Sequence, residues 1–150
     1  MNDINLFLSD EQATARVAAQ LGQSLEAGDF VALYGDLGAG KTAFARALIQ
    51  SLNPAESEVP SPTFTLVQTY DSPHGPISHF DLYRLGSPED VLELGFEEMA
   101  KGILLVEWPE RLGRLLPQKR FEVWLSYGTS EAERTLRLCC PAGRSLEVKL

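Results

Sequence analysis

Long apolar runs are missing from this 150-residue chain. None approaches the roughly 20 residues that a membrane-spanning helix needs, so the sequence predicts no transmembrane segment and no membrane partner. The start, Met1-Asn2-Asp3-Ile4-Asn5, lacks the positive region and apolar stretch of an export signal. Cysteine is scarce. Cys139 and Cys140 stand side by side, with no second pair and no nearby histidine to complete a metal site. Without an export signal they read as reduced thiols, and the cytoplasm is the expected compartment. Positive charge is also short: 13 basic against 21 acidic side chains leave a net charge of −8. That argues against free-standing nucleic-acid binding, so any contact with RNA is expected to be indirect, through a basic partner.

What is present is globular composition, with 44% apolar and 23% charged residues. A chain of this length buries about 68–70% of its unfolded surface without staples, and no repeat or linker divides it. One domain over residues 1–150 is expected. Ile4–Leu8 reads as a short strand. Ser9 with Gln12 has the pattern of a helix cap, and Ala13, Val17, Leu21 and Leu25 form one apolar helical face that ends at Gly28. Phe30–Tyr34 is a continuous apolar run of the kind found in strands buried on both faces. Ala43–Leu52 reads as a helix stopped by Asn53-Pro54. Thr63–Tyr70 and Ile77–Leu82 predict a hairpin around a Pro/Gly turn, and Ser87-Pro88 opens a short helix. Ile103–Val106 is a second buried strand, and Phe121–Tyr127, Arg134–Cys140 and Leu146–Leu150 predict an antiparallel meander.

Between the first buried strand and its helix lies Gly35-Asp36-Leu37-Gly38-Ala39-Gly40-Lys41-Thr42, a complete Walker A pattern. The glycines let successive N–H groups turn inward as an anion nest, and the following helix adds its N-terminal partial charge. Lys41 is placed to reach the β and γ phosphates, and the Thr42 hydroxyl to bind Mg²⁺. The alternative, a glycine-rich turn with a chance lysine, does not need the strand before it and the helix after it. The expected architecture is α/β: a three-layer P-loop NTPase-like fold with a mixed, largely parallel central sheet and a C-terminal antiparallel β extension.

A P-loop needs acids at neighbouring strand ends. Glu107 follows the more apolar run and is the first choice for the magnesium side. Asp81 is then the candidate to orient the attacking water. The reverse assignment stays open. Ser61-Pro62-Thr63-Phe64 reads either as a hydroxyl-bearing switch loop or as a stiff turn opening a strand. Trp108 is read as an exposed aromatic for nucleotide or partner contact ahead of core packing. His79 is read as a satisfied structural histidine and His74 as a turn residue without chemistry. The basic stretch Arg111, Arg114, Lys119 and Arg120 is a solvated face, or else meets a partner's acidic surface or tRNA phosphate.

The order of these segments, Gly-Asp-Leu-Gly-Ala-Gly-Lys-Thr at 35–42, Ser-Pro-Thr-Phe at 61–64, His-Phe-Asp-Leu-Tyr-Arg at 79–84 and Val-Glu-Trp-Pro-Glu-Arg at 106–111, resembles the TsaE (YjeE) family. These are small bacterial P-loop ATPases required for threonylcarbamoyladenosine modification of tRNA. The likeness runs from about the first helix to Arg111. It implies weak ATP hydrolysis with Mg²⁺ in support of TsaD and TsaB, the pair that transfers the threonylcarbamoyl group. It implies that the loop from Gly35 to Thr42, Leu37 included, binds phosphates, with Lys41 catalytic as well. By the same likeness Thr42 and Glu107 hold Mg²⁺, and Asp81 and the switch-loop Thr63 are catalytic. Trp108 lies near the site, and Glu11 and Arg134 near the nucleotide. Two other classes remain: a small P-loop kinase and a non-hydrolysing nucleotide-binding partner protein. A GTPase is disfavoured because no Asn-Lys-x-Asp or Asp-x-x-Gly pattern occurs. Adenine is therefore preferred by default.

Overall fold

The computed structural model describes every residue except Met1, Leu37, Ser57, Glu58, Thr63 and Phe64, and the side chain of Asn2. Its strands are β1 (Asn2–Leu8), β2 (Phe30–Gly35), β3 (Val67–Tyr70), β4 (Ile77–Asp81), β5 (Ile103–Glu107), β6 (Phe121–Tyr127) and β7 (Arg134–Cys140). They form one seven-stranded sheet in the order β1-β7-β6-β2-β5-β4-β3. The middle, β6-β2-β5-β4, is parallel, and β3, β7 and β1 pair antiparallel with their neighbours. This is the expected α/β architecture.

Strand alternation sorts the core into two halves. Val31, Leu33, Ile103 and Leu105 point to one face, where helices α1 (Glu11–Ser24) and α2 (Lys41–Leu52) pack with Leu21, Phe44 and Leu48. Phe30, Ala32, Leu104 and Val106 point to the other. There the short helix α3 (Phe96–Met99) and the 3-10 segments Pro88–Leu94 and Pro109–Leu115 cover the sheet. The sheet is therefore apolar on both faces in its centre, which is why Phe30–Tyr34 and Ile103–Val106 read as unbroken apolar runs.

Four expectations change in detail. Asp10, not Ser9, caps α1: its backbone is extended and its carboxylate accepts from Ala13 N at 2.9 Å. A carboxylate there also faces the positive helix end. The strand expected over Thr63–Tyr70 begins only at Val67. Leu66 has φ 68° and its N–H donates to Pro62 O, a turn that precedes the extended backbone, while Thr63 and Phe64 lie outside the described residues. The C-terminal third is not a meander throughout, since β6 joins β2 in parallel before turning back into β7. Finally, Leu146–Leu150 forms no strand, because β1 already takes the free edge of β7. The tail lies along α1 instead, with Lys149 and the Gln20 amide exchanging two hydrogen bonds at 2.6 and 2.8 Å.

Candidate functional site

The carboxyl ends of the parallel strands β2, β4 and β5 converge beside the glycine-rich loop. That loop starts tightly against β6: a Cβ on Gly35 would lie 2.6 Å from Leu125 O, so only glycine fits there. It ends at Gly40, whose φ of 108° is again a glycine conformation, and Lys41 opens α2 directly. No side chain caps this helix end, which leaves its first N–H groups turned toward the loop.

Lys41 is buried, with 4% of its surface exposed. Its Nζ donates to Gly35 O at 2.7 Å and lies 3.4 Å from the centroid of the Trp108 ring. Burial pushes its pKa down, against the opposing pull of Glu107, Glu110, Asp81 and Asp36. Trp108 itself sits at φ 58°, ψ 49°, a left-handed backbone rare for a bulky side chain, directly after β5. That turn folds the indole back over Lys41, and the Tyr83 ring meets it at 5.0 Å between centroids.

At the second residue of α2, the Thr42 hydroxyl donates to the Glu107 carboxylate, 2.9 Å from Oε1 and 3.0 Å from Oε2. Glu107 ends β5, and Asp81 ends β4 directly opposite it in the parallel register. Both acids are buried, on the sheet face turned toward α2. Asp81 Oδ1 accepts from Tyr83 N at 3.1 Å. His79, two residues before Asp81 and hence on the same face, reaches Glu107 Oε2 with Nε2 at 2.7 Å.

On the other flank, Arg134 of β7 donates through Nε to Ala39 O of the loop at 3.1 Å. Its Nη1 group donates to the carbonyls of Glu131 and Glu133. Arg134 and Glu11, with Ala39 and Gly40, border a cavity of about 80 Å³ between the loop and the start of α1. The fold thus gathers Lys41, Thr42, Asp81, Glu107 and Trp108 on one side of the loop and Glu11 and Arg134 on the other. Gly35, Asp36, Gly38, Ala39 and Gly40 form the loop between them, while Leu37 and Thr63 lie outside the described residues.

Among the described residues no three of His, Cys, Asp or Glu cluster as a metal cage. Magnesium does not require one, because it takes one or two protein oxygens together with phosphates and water. The touching hydroxyl and carboxylate of Thr42 and Glu107 are an oxygen pair of that kind. The basic stretch offers less than its charge suggests: Arg114 pairs with Glu89 at 2.8 Å, and Arg120 with Glu122 at 2.8 Å. The His79–Glu107 bond is the feature that reading His79 as merely structural misses. Its signal was the two-residue spacing to Asp81, which puts both on one face of a strand beside Glu107.

A family model described as threonylcarbamoyl adenosine biosynthesis protein TsaE matches residues 8–136. The tRNA threonylcarbamoyladenosine biosynthesis protein TsaE of Rickettsia felis is 43% identical over 97% of this chain and 83% of its own length. The protein of that name from a Nostoc species is 41% identical over 82% of this chain and 78% of its own. The crystal structure of YdiB from Bacillus subtilis superposes with a TM-score of 0.74 at 26% identity, covering 94% of this chain and 87% of that one. The loop, the strand ends and these likenesses agree: the chain belongs to the TsaE family, whose role is in the biosynthesis of threonylcarbamoyladenosine in tRNA.

Proposed function

We propose that this chain binds ATP with Mg²⁺ and hydrolyses it slowly, in support of the TsaB–TsaD complex that modifies tRNA. The observation that carries the reading is the Thr42–Glu107 contact, which ties the first turn of the loop helix to the end of β5. It supports Glu107 over Asp81 on the magnesium side. Thr42 and Glu107 would hold the cation, which when bound neutralises charge on the phosphates.

Lys41 must leave the Gly35 carbonyl to donate to a phosphate, and the loop N–H groups take the remaining oxygens. Asp81, buried beside Glu107, orients the attacking water. That task asks first for hydrogen-bond reach. Glu11 and Arg134 border the nucleoside side of the loop. Thr63 keeps its switch role by family likeness alone. Slow turnover follows if a partner supplies the missing transition-state cation, as arginine fingers do elsewhere.

The test is Mg²⁺-dependent ATP turnover by the purified protein, alone and with purified TsaB and TsaD. Turnover should be weak alone, rise with the pair, and vanish in Lys41→Ala. Asp81→Ala should retain ATP affinity and lose about 10²–10⁴-fold in rate. Normal turnover in Asp81→Ala would remove the water-orienting role. Turnover indifferent to the pair would remove the coupling.

A further inference from the structure

The hydrogen bonding of Glu107 is more complete than a surface acid would have. Thr42 donates to the carboxylate from the helix side, and His79 Nε2 lies 2.7 Å from Oε2 from the sheet side. His79 is fully buried, with 0% of its surface exposed, and Glu107 retains 2%. Placing an imidazole in a sheet interior, where Leu105 is its lateral neighbour on β5, costs solvation that an aliphatic residue would not. A core role alone would be met by leucine or isoleucine, which fill the equivalent inward positions Ile77, Ile103 and Leu105.

Among the described residues Nδ1 of His79 meets no hydrogen-bonding partner. The network therefore assigns a ring proton to Nε2, where it faces the carboxylate. A glutamate side chain has three rotatable bonds. Held by Thr42 alone, it could swing about that contact. A second donor from a rigid parallel strand fixes the plane of the carboxylate.

We propose that His79 is a positioning residue for the metal-binding carboxylate. It orients Glu107 from β4 so that Glu107 and Thr42 present their oxygens together to a divalent cation. The inference rests on the Mg²⁺·ATP reading above. It resembles the outer partners that orient ligands in other metal sites, whose loss costs about 10–100-fold in metal affinity.

The test compares His79→Leu, which removes the donor, with His79→Gln, whose amide nitrogen reaches about as far as Nε2. ATP affinity is measured by calorimetry in EDTA and across a Mg²⁺ titration, with thermal unfolding of each variant alongside. His79→Leu should bind ATP in EDTA as the unaltered protein does. Its half-saturating Mg²⁺ should rise about 10–100-fold, and His79→Gln should restore it to within about threefold. An unchanged Mg²⁺ requirement in His79→Leu overturns the proposal, and so does an equal loss in both variants, which would mean packing. In the unaltered protein, long-range proton–nitrogen spectra read the tautomer directly, since the chain has only 2 histidines. An Nδ1-protonated His79 overturns the proposal even if His79→Leu does not fold. Failure of the unaltered protein to bind ATP, or to respond to Mg²⁺, would instead overturn the underlying nucleotide reading, and this inference with it.

Discussion

Replacing Lys41 with methionine should make the nucleotide-free protein more stable while removing its phosphate binding. The ammonium is 4% exposed and has exchanged its hydration for a carbonyl at 2.7 Å and an indole face at 3.4 Å. Those contacts are worth about 1.5–3 kcal/mol for the charged hydrogen bond and about 2 kcal/mol for a desolvated cation–π pair. The downward shift of its pKa says that burial still wins. That shift already counts the attraction to Glu107 once, so deleting the charge gains the difference even though the carboxylate stays behind. Methionine keeps most of the stem and sets a thioether against the Trp108 ring. Replacing a whole buried ion pair or triad with fitting apolar side chains runs from neutral to about 4 kcal/mol stabilising, which bounds the exchange of this one charge from above. Because Gly35 O also loses its donor, an increase of no more than about 1 kcal/mol is expected here, or roughly 2–4 °C in Tm for a chain of this size.

The sign can be tested against pH. Because the folded value lies below the unfolded 10.5, the unfolded chain binds more protons between the two values. The lysine protein's deficit is complete below the folded pKa and disappears as pH rises toward 10.5. Thermal unfolding in EDTA from neutral to alkaline pH measures both effects. A lower Tm for Lys41→Met at pH 7, or a gap between the proteins that does not narrow with pH, would refute the reasoning.

Three further outcomes are expected. Asp10→Ala should cost about 1 kcal/mol by circular dichroism melts, whereas Ser9→Ala should change nothing, since only Asp10 caps α1. The Cys139 thiol, pushed up to about 11 by burial, and the buried Cys140 should resist a thiol reagent at pH 8 in the folded protein and react once it is unfolded. Gly35→Ala must move either the loop or Leu125 O, so it should lower stability by about 1–3 kcal/mol and weaken nucleotide binding in the same protein.

The parts of the fold that are legible in the sequence are those whose cause is local. Phe30–Gly35, the loop and α2 follow one another without a break, and each announces itself by composition. The pairing of β6 with β2 is not local: nothing in Phe121–Tyr127 says whether its neighbour runs parallel or antiparallel. Leu146–Leu150 carries strand composition, yet sheet edges are finite and β1 had already filled the one it needed. In the site, Lys41, Thr42 and the two acids are readable because a phosphate loop demands them. Arg134 is readable only by likeness, since its reach to Ala39 depends on how β7 turns back. His79 carried its signal in strand periodicity, but its partner lies 28 residues away on another strand.

The pairing of β1 with β7 also sets a timetable for synthesis. Asn2–Leu8 is made before every other strand of this sheet, and among the described residues it pairs only with β7, which begins at Arg134. At about 5–20 residues per second, that strand waits roughly 6–26 s with its hydrogen-bonding edges unclaimed. The loop strand β2 waits too, for β5 on one side and β6 on the other. Because Gly35 closes against β6 and Arg134 ties the loop from β7, the glycine-rich loop is among the last parts of the fold to gain its full surroundings. A chain stalled before Phe121 would carry the whole glycine-rich signature and the Thr42–Glu107 pair, yet lack the wall that the loop closes against.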